Sequence, residues 1–161
     1  MEKLLDLLHE NARLSNAQLA VMLGTTEEDV AAQIAEYEKK GIIKGYQALI
    51  NWEKADANKA TALIELRVTP KPDRGFDEIA SRVMQFEEVD AVYLMSGGYD
   101  LAVLVHAKSM QEVAMFVARR LSQLDSIIST ATHFILTRYK DGGVILAEDE
   151  KDDERRSVFC D

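Results

Sequence analysis

Residues 89–107 read VDAVYLMSGGYDLAVLVHA. Two apolar runs rich in Val and Leu, 89–96 and 100–107, meet across Gly97-Gly98-Tyr99. Runs of this length parted by a Gly-rich break read as two strands of a β-hairpin. Working outward from the hairpin, Phe76, Ile79, Ala80 and Val83 recur at helical spacing before it, and Val113, Phe116, Val117, Leu121 and Leu124 do so after it. Beyond those helices, ATALIELRV (60–68) alternates, with Ala62, Ile64, Leu66 and Val68 on one face and Glu65 and Arg67 on the other. Pro70 and Pro72 end that strand. IISTATHFILTRY (127–139) reads as a last long strand, and GGVILA (142–147) adds a short one. The order β-α-β-β-α-β is the split βαβ of a ferredoxin-like sandwich. Two helices cover one face of such a sheet and leave the other partly apolar, with Tyr93, Met95, Val103, Val105 and Phe134 supplying apolar surface on both sides. An uncovered apolar sheet face pairs with another sheet, so a homodimer is expected.

The N-terminal third has a different period. Leu4, Leu5 and Leu8 stripe a helix over about residues 2–11. Ser15 is an N-cap for a second helix over 16–23, with Leu19, Ala20 and Leu23 facing inward. Gly24 breaks the pattern, and Thr25-x-x-Glu28 reads as a capping box that opens a third helix with Val30, Ile34 and Tyr37 inside. Gly41 ends that helix after two lysines suited to its negative pole. Ala20, Gly24 and Val30 supply what a helix-turn-helix needs: a small residue at the crossing, Gly at the turn and a branched apolar residue as a lock. The stretch GIIKGYQALINWEKADANKA (41–60) follows, read as a short strand at about 45–51 and a polar linker. The expected organisation is α+β: a helix-turn-helix (winged-helix-like) domain at 1–44, a linking strand and linker at 45–59, a ferredoxin-like βαββαβ domain at 60–146 and an acidic tail at 147–161.

The third helix is unusual for a DNA reader. Glu27, Glu28, Asp29, Glu36 and Glu38 lie between residues 27 and 38, a span without Lys or Arg. First-turn acids stabilise a helix by facing its positive pole, but they repel the phosphates that supply most non-specific affinity. The readers of base edges are Thr26, Glu28, Asp29 and Gln33: Gln33 suits an adenine edge and an acid accepts from cytosine N4. Arg13, Lys39, Lys40 and Lys44 are the phosphate contacts, and Thr25 joins the set at the helix start.

Composition narrows the classes further. The 161 residues carry a net charge of −9. Residues 147–161, AEDEKDDERRSVFCD, hold three basic and seven acidic side chains and read as a solvated tail or a docking tail tipped by Val158 and Phe159. No apolar run approaches the ~18 residues of a membrane span. The first residues lack the basic-then-apolar order of a signal peptide. With one cysteine, Cys160, the chain fits a reducing cytoplasm.

No enzymatic constellation is present. His9, His106 and His133 fall one per element, without metal-ligand spacing. Ser96-Gly97-Gly98 lacks the strand-to-helix turn of a nucleophile elbow, and a strand rather than a helix follows the glycines, which excludes a phosphate loop. The loop SGGYDL (96–101) keeps two readings. Its glycines and Asp100 serve a tight turn, or its open backbone N–H groups take a carboxylate while Asp100 takes an ammonium, the two poles of an amino acid. Thr130 and Thr132 share a face of the last strand and would add hydroxyls beside the loop.

Three stretches together resemble the leucine-responsive regulator (Lrp/AsnC, feast/famine) family over roughly residues 2–146. LHENARLSNAQLAVMLGTTEEDVAAQIAEYEKKGIIKGYQALIN is similar to its helix-turn-helix and linking strand, YLMSGGYDLAVLV to its Gly-x-Tyr-Asp hairpin, and IISTATHFILTRYK to its last strand with paired threonines. The resemblance implies a transcription regulator that binds double-stranded DNA as a dimer, assembles to octamers and senses amino acids, with no cofactor. It implies an effector site at Gly97, Gly98, Tyr99, Asp100, Thr130 and Thr132, where the effector shifts the oligomeric assembly. Members usually carry Arg near the positions of Ala32 and Gln33, and this chain does not. The competing expectation is therefore an amino-acid sensor or oligomeric scaffold with weak or lost DNA binding.

Overall fold

The computed structural model describes residues 2–55, 59–70 and 75–147. The chain divides into two compact units, Met1–Leu49 and Ile50–Asp161. The acidic tail, apart from Ala147, and Pro72 lie outside the described residues. Among the described residues no helix is long and apolar enough to cross a membrane.

The first unit is three helices: α1 (Glu2–Glu10), α2 (Asn16–Leu23) and α3 (Glu27–Lys39). Leu4, Leu8, Leu19, Ala20, Val30 and Tyr37 are buried together, with Leu5, Leu14, Leu23 and Ile34 packed around them. These are the residues whose 3.6-residue spacing marked the inner faces. Ser15 caps α2 with a full capping box: the Gln18 N–H donates to Ser15 Oγ (3.2 Å), and the Ser15 N–H donates to Gln18 Oε1 (2.9 Å). Gly24 closes α2 in the left-handed conformation (φ 67°, ψ 37°), its N–H directed at the carbonyls of Ala20 and Val21.

Two sequence expectations need correction here. The cap of α3 is Thr26, not Thr25. Thr26 Oγ1 accepts from the Asp29 N–H (3.1 Å), and the helix begins at Glu27. Two adjacent threonines each have an acid three residues on, and the left-handed Gly24 leaves both Thr25 and Thr26 outside the helix. The expected strand at 45–51 is not formed within the chain, because a strand exists through its ladder and these residues pair with no other strand among those described.

The second unit opens with a single turn, α4 (Trp52–Ala55), where a plain linker was expected. Asn51 starts it by accepting the Lys54 N–H on Oδ1 (3.3 Å) and the Ala55 N–H on its carbonyl (3.1 Å). Then come β1 (Ala60–Val68), α5 (Asp77–Val83), β2 (Val89–Leu94), β3 (Leu101–Ala107), α6 (Met110–Phe116, continued by a π-helical turn at Val117–Leu121), β4 (Ile127–Phe134), β5 (Lys140–Asp141) and β6 (Val144–Ile145). The main sheet is antiparallel in the order β2-β3-β1-β4, the expected ferredoxin-like topology. Ala62, Ile64, Leu66 and Val68 of β1 are buried with Leu101, Val103 and Val105 of β3, under Ile79 and Val83 of α5 and Val113, Phe116 and Leu121 of α6 and its extension. Each fully buried Ile, Leu or Val here contributes roughly 1.5–3 kcal/mol of transfer free energy.

Opposed residues of an antiparallel pair share a face, and that rule assigns the expected apolar residues to their sides. Val103 and Val105 stand opposite Ile64 and Ala62, so they are core. Tyr93 faces the other way, opposite Ala102. The face without helices carries Leu63, Leu104 and Tyr93 beside Glu65, Arg67 and His133, so it is partly apolar. His133 Nε2 lies 3.3 Å from Glu65 Oε1 across that face. The last strand also stops at Phe134 rather than running to residue 139, and a two-stranded hairpin of β5 and β6 follows.

Candidate DNA interface and ligand loop

Arg13, Thr25, Thr26, Glu28, Asp29, Gln33, Lys39, Lys40 and Lys44 are all exposed on the first unit. Helical spacing places Asp29, Gln33, Glu36 and Lys40 on one stripe of α3, each three or four residues from the next. Several members of the set are already engaged. Thr26 Oγ1 donates to Asp29 Oδ2 (2.7 Å) and Thr25 Oγ1 donates to the same oxygen (3.1 Å). These hydroxyls, that of Thr26 foremost, hold the Asp29 carboxyl below its ordinary 3.8. Lys40 Nζ pairs with Glu36 Oε1 at 2.6 Å, and that carboxylate raises the ammonium's pKa. Glu38 is engaged from beyond the helix, accepting from the Tyr46 hydroxyl (3.0 Å). Partial burial, and then this bond, push the Tyr46 phenol up. Gln33 and Glu28 are left exposed and unengaged, and Lys39 and Lys44 make no ion pair, among the described residues.

In the second unit, the loop between β2 and β3 is closed by the Met95 N–H donating to the Asp100 carbonyl (2.8 Å). Asp100 then ties the loop to β1 twice: its N–H donates to the Leu66 carbonyl (2.9 Å), and its Oδ2 accepts the Val68 N–H (2.8 Å). Asp100 therefore finishes the edge of the β1–β3 ladder with its side chain. The N–H groups of Ser96, Gly97, Gly98 and Tyr99 make no hydrogen bond within the described structure. A Cβ at Gly97 or Gly98 would meet no atom within 4 Å, so the loop's outer side is open.

Thr130 and Thr132 are half-buried on β4, opposite Leu66 and Ile64 and hence on the helix-covered side. Leu66 also pairs with Leu101. Thr130 thus sits at the same end of the sheet as the loop, two strand spacings (about 9–10 Å) from Leu101. Thr132 lies a further two residues along. The structure brings Thr130 to the loop's end of the sheet, leaves Thr132 opposite the middle of β1, and hydrogen-bonds neither to Asp100.

Among the described residues no group of His, Cys, Asp and Glu could hold a metal ion. A cleft that sequence reading did not single out lies at the far end of the same unit, lined by Trp52, Lys59, Thr61, Phe134 and Arg138 among others. Its residues come from α4, β1, β2, β3, α6 and β4 and from the segments after β4 and β6, so no local motif marks it.

A helix-turn-helix unit followed by a ferredoxin-like unit with an open hairpin loop defines the class: a DNA-binding transcription regulator with a ligand-binding domain. Comparison with known proteins agrees. Residues 61–145 match the Lrp/AsnC ligand binding domain, and residues 2–44 match a winged helix-turn-helix DNA-binding domain. The chain belongs to the Lrp/AsnC family of transcription regulators and is not an enzyme. It is 45% identical over 157 residues to the uncharacterized HTH-type transcriptional regulator YugG of Bacillus subtilis, covering 97% of this chain and 93% of that protein. The crystal structure of PH0061 shares the fold with a TM-score of 0.75 at 23% identity, covering 87% of this chain and 93% of that one. The transcriptional regulator NMB0573 of Neisseria meningitidis, solved as an L-Met complex, has a TM-score of 0.70 at 23% identity, with coverages of 86% and 89%.

Proposed function

We propose that this regulator responds to an amino acid bound at the loop 96–100, and that the effector acts by shifting a homo-oligomeric assembly. The observation that carries the reading is the set of four backbone N–H groups at Ser96, Gly97, Gly98 and Tyr99 that make no hydrogen bond among the described residues, in a loop whose Ser96, Gly97 and Gly98 are exposed. Clustered N–H groups attract a carboxylate. Asp100 keeps one carboxylate oxygen, Oδ1, beyond the one held by Val68, and that oxygen suits an ammonium. Thr130 and, two residues further from the loop, Thr132 add hydroxyl groups on β4. The L-Met complex of the structurally similar NMB0573 supports an amino acid as the ligand class.

Exposed apolar side chains support self-association. Tyr93, Leu94 and Met95 are exposed around the end of β2, and Ile128 is exposed on β4. The first assembly is a homodimer, and dimers gather to an octamer around the ligand loop. An effector that binds one assembly more tightly shifts the population and with it the arrangement of the DNA-binding units. The test is a thermal-shift panel of amino acids on the native chain and on Asp100→Asn. One or more amino acids should raise Tm, and Asp100→Asn should remove the shift. A shift retained by the variant overturns the placement.

A second reading, a sensor or scaffold with weak or lost DNA binding, has its own observation. The exposed stripe of α3 carries Asp29 and Glu36, and its one cation, Lys40, is paired to Glu36. Binding to DNA from upstream of its own gene, measured against salt, separates the two. Absence of binding at about 50 mM salt, with and without amino acids, decides for the scaffold.

A further inference from the structure

At the end of the sheet remote from the Gly97–Asp100 loop, the second unit has a cleft of about 540 Å³. That is within the usual range for small-ligand sites, ~300–1,000 Å³. It opens where Ala60 pairs with Ala107 and Ala62 with Phe134. Leu66, where the loop docks, lies six residues along β1, about 20 Å away at strand rise. The two places are separate.

The charges in the cleft are unevenly satisfied. Each acid has a neighbour: Glu53 Oε1 accepts the Arg138 backbone N–H (3.1 Å), and Asp90 Oδ1 lies 2.7 Å from His106 Nδ1, an approach without hydrogen-bond geometry. The half-buried Arg138 spends one Nη2 donor on Thr61 Oγ1 (3.0 Å), which fixes the guanidinium and leaves donors of its fork unused. Lys59 stands with its Nζ 3.6 Å from the Trp52 ring centroid. Neither makes an ion pair with a carboxylate among the described residues. Around them the walls are apolar, with Phe134, Leu136 and Leu146 in the lining. The segment bearing Trp52 is held on the unit by the Asn51 Nδ2–H donating to the Leu146 carbonyl (3.2 Å).

We infer that this cleft binds a small organic anion, a monocarboxylate with an apolar body, as a second ligand site of the regulator. Arg138 and Lys59 take the carboxylate, and a planar guanidinium fork suits it geometrically. The apolar body lies toward Phe134, Leu136 and Leu146. Recognition by Arg138 and Lys59 requires no ammonium group, and that distinguishes its ligand from one recognised at both poles.

Trp52 is the chain's only tryptophan, so its emission reports on this cleft. The experiment titrates the full chain with benzoate, phenylacetate and 4-methylpentanoate, and with the alcohols of the same skeletons. Saturable emission changes are expected with the carboxylates and not with the alcohols. Lys59→Gln, an exposed position, and Arg138→Gln should each raise Kd by about tenfold, the value of a charge-assisted contact. Asp100→Asn should leave the titration unchanged, so failure here is distinct from failure at the loop. Equal response to alcohols, or unchanged affinity in Lys59→Gln, overturns the proposal. Emission that depends on protein concentration and ignores every carboxylate also overturns it, showing the cleft covered by a second copy of the chain.

Discussion

Asp100 Oδ2 and the Val68 backbone N–H are hydrogen-bonded at 2.8 Å, which makes a loop residue part of the β1 ladder. Val68 is buried and the bond part-buried, so removing this acceptor leaves the N–H without its partner. Asp100→Ala should therefore destabilise the second unit by about 1–3 kcal/mol, the cost of an orphaned buried donor. Asp100→Asn keeps a carbonyl acceptor at the same place and should cost well under half of that. Urea unfolding of the three proteins measures the difference, and equal stability of Asp100→Ala and the native chain would refute the structural role. The comparison also protects the ligand test, because an Ala variant mixes loss of fold with loss of charge.

Gly24 sits at φ +67° with nothing within 4 Å of a hypothetical Cβ. The cost of Gly24→Ala is then purely one of backbone conformation, about 1–2 kcal/mol. Thermal unfolding of the N-terminal unit should show that loss without any change in the second unit. A neutral result would mean the turn tolerates another conformation.

The start of α3 can be tested by its two threonines. Thr26→Ala removes the true cap and should cost about 0.5–2 kcal/mol, whereas Thr25→Ala should cost much less. Asp29 adds a pH signature. Its carboxyl is held below the ordinary value by the hydroxyls of Thr26 and Thr25, so its contribution is complete above the unfolded value of 3.8 and disappears as pH falls through the lower folded value. Acid unfolding followed by circular dichroism should be less steep in Asp29→Asn over that window. Identical profiles would exclude the assignment.

Much of this was legible in the residues because the signals were periodic and local. Leu4, Leu8, Leu19, Val30 and Tyr37 fell on the inner faces of three helices, and Ile64 and Leu66 on the inner face of β1, as their spacing required. What escaped was set by partners remote in sequence. Val103 and Val105 could have faced either side until their pairing with Ile64 and Ala62 was known. The strand expected at 45–51 had the apolar content of one but no partner ladder, and leaves Tyr46 and Leu49 exposed. Asp100 was read as a turn residue or a ligand group, and its bond to Val68, 32 residues earlier, has no sequence signature. The cleft at Trp52 and Arg138 joins segments from residue 50 to residue 146, beyond the reach of any motif.

The exposed stripe of α3 holds the proposed contacts with DNA. Lys40 is bound to Glu36 at 2.6 Å, one turn away, so a phosphate must compete with a carboxylate for it. The pair is exposed, and exposed pairs are held weakly enough for such exchange. Glu36→Gln should release Lys40 and remove one repulsive charge from the stripe that also holds Asp29 and Gln33. Affinity for DNA should rise, and the slope of log K against log salt should steepen by about 0.9, the value for one further phosphate neutralised. Lys40→Gln should reverse the gain when combined with Glu36→Gln, while Gln33→Ala should instead reduce discrimination between sequences with little change in slope. Fluorescence anisotropy at several salt concentrations separates the two effects. An unchanged slope in Glu36→Gln would show that Lys40 does not meet the phosphate backbone.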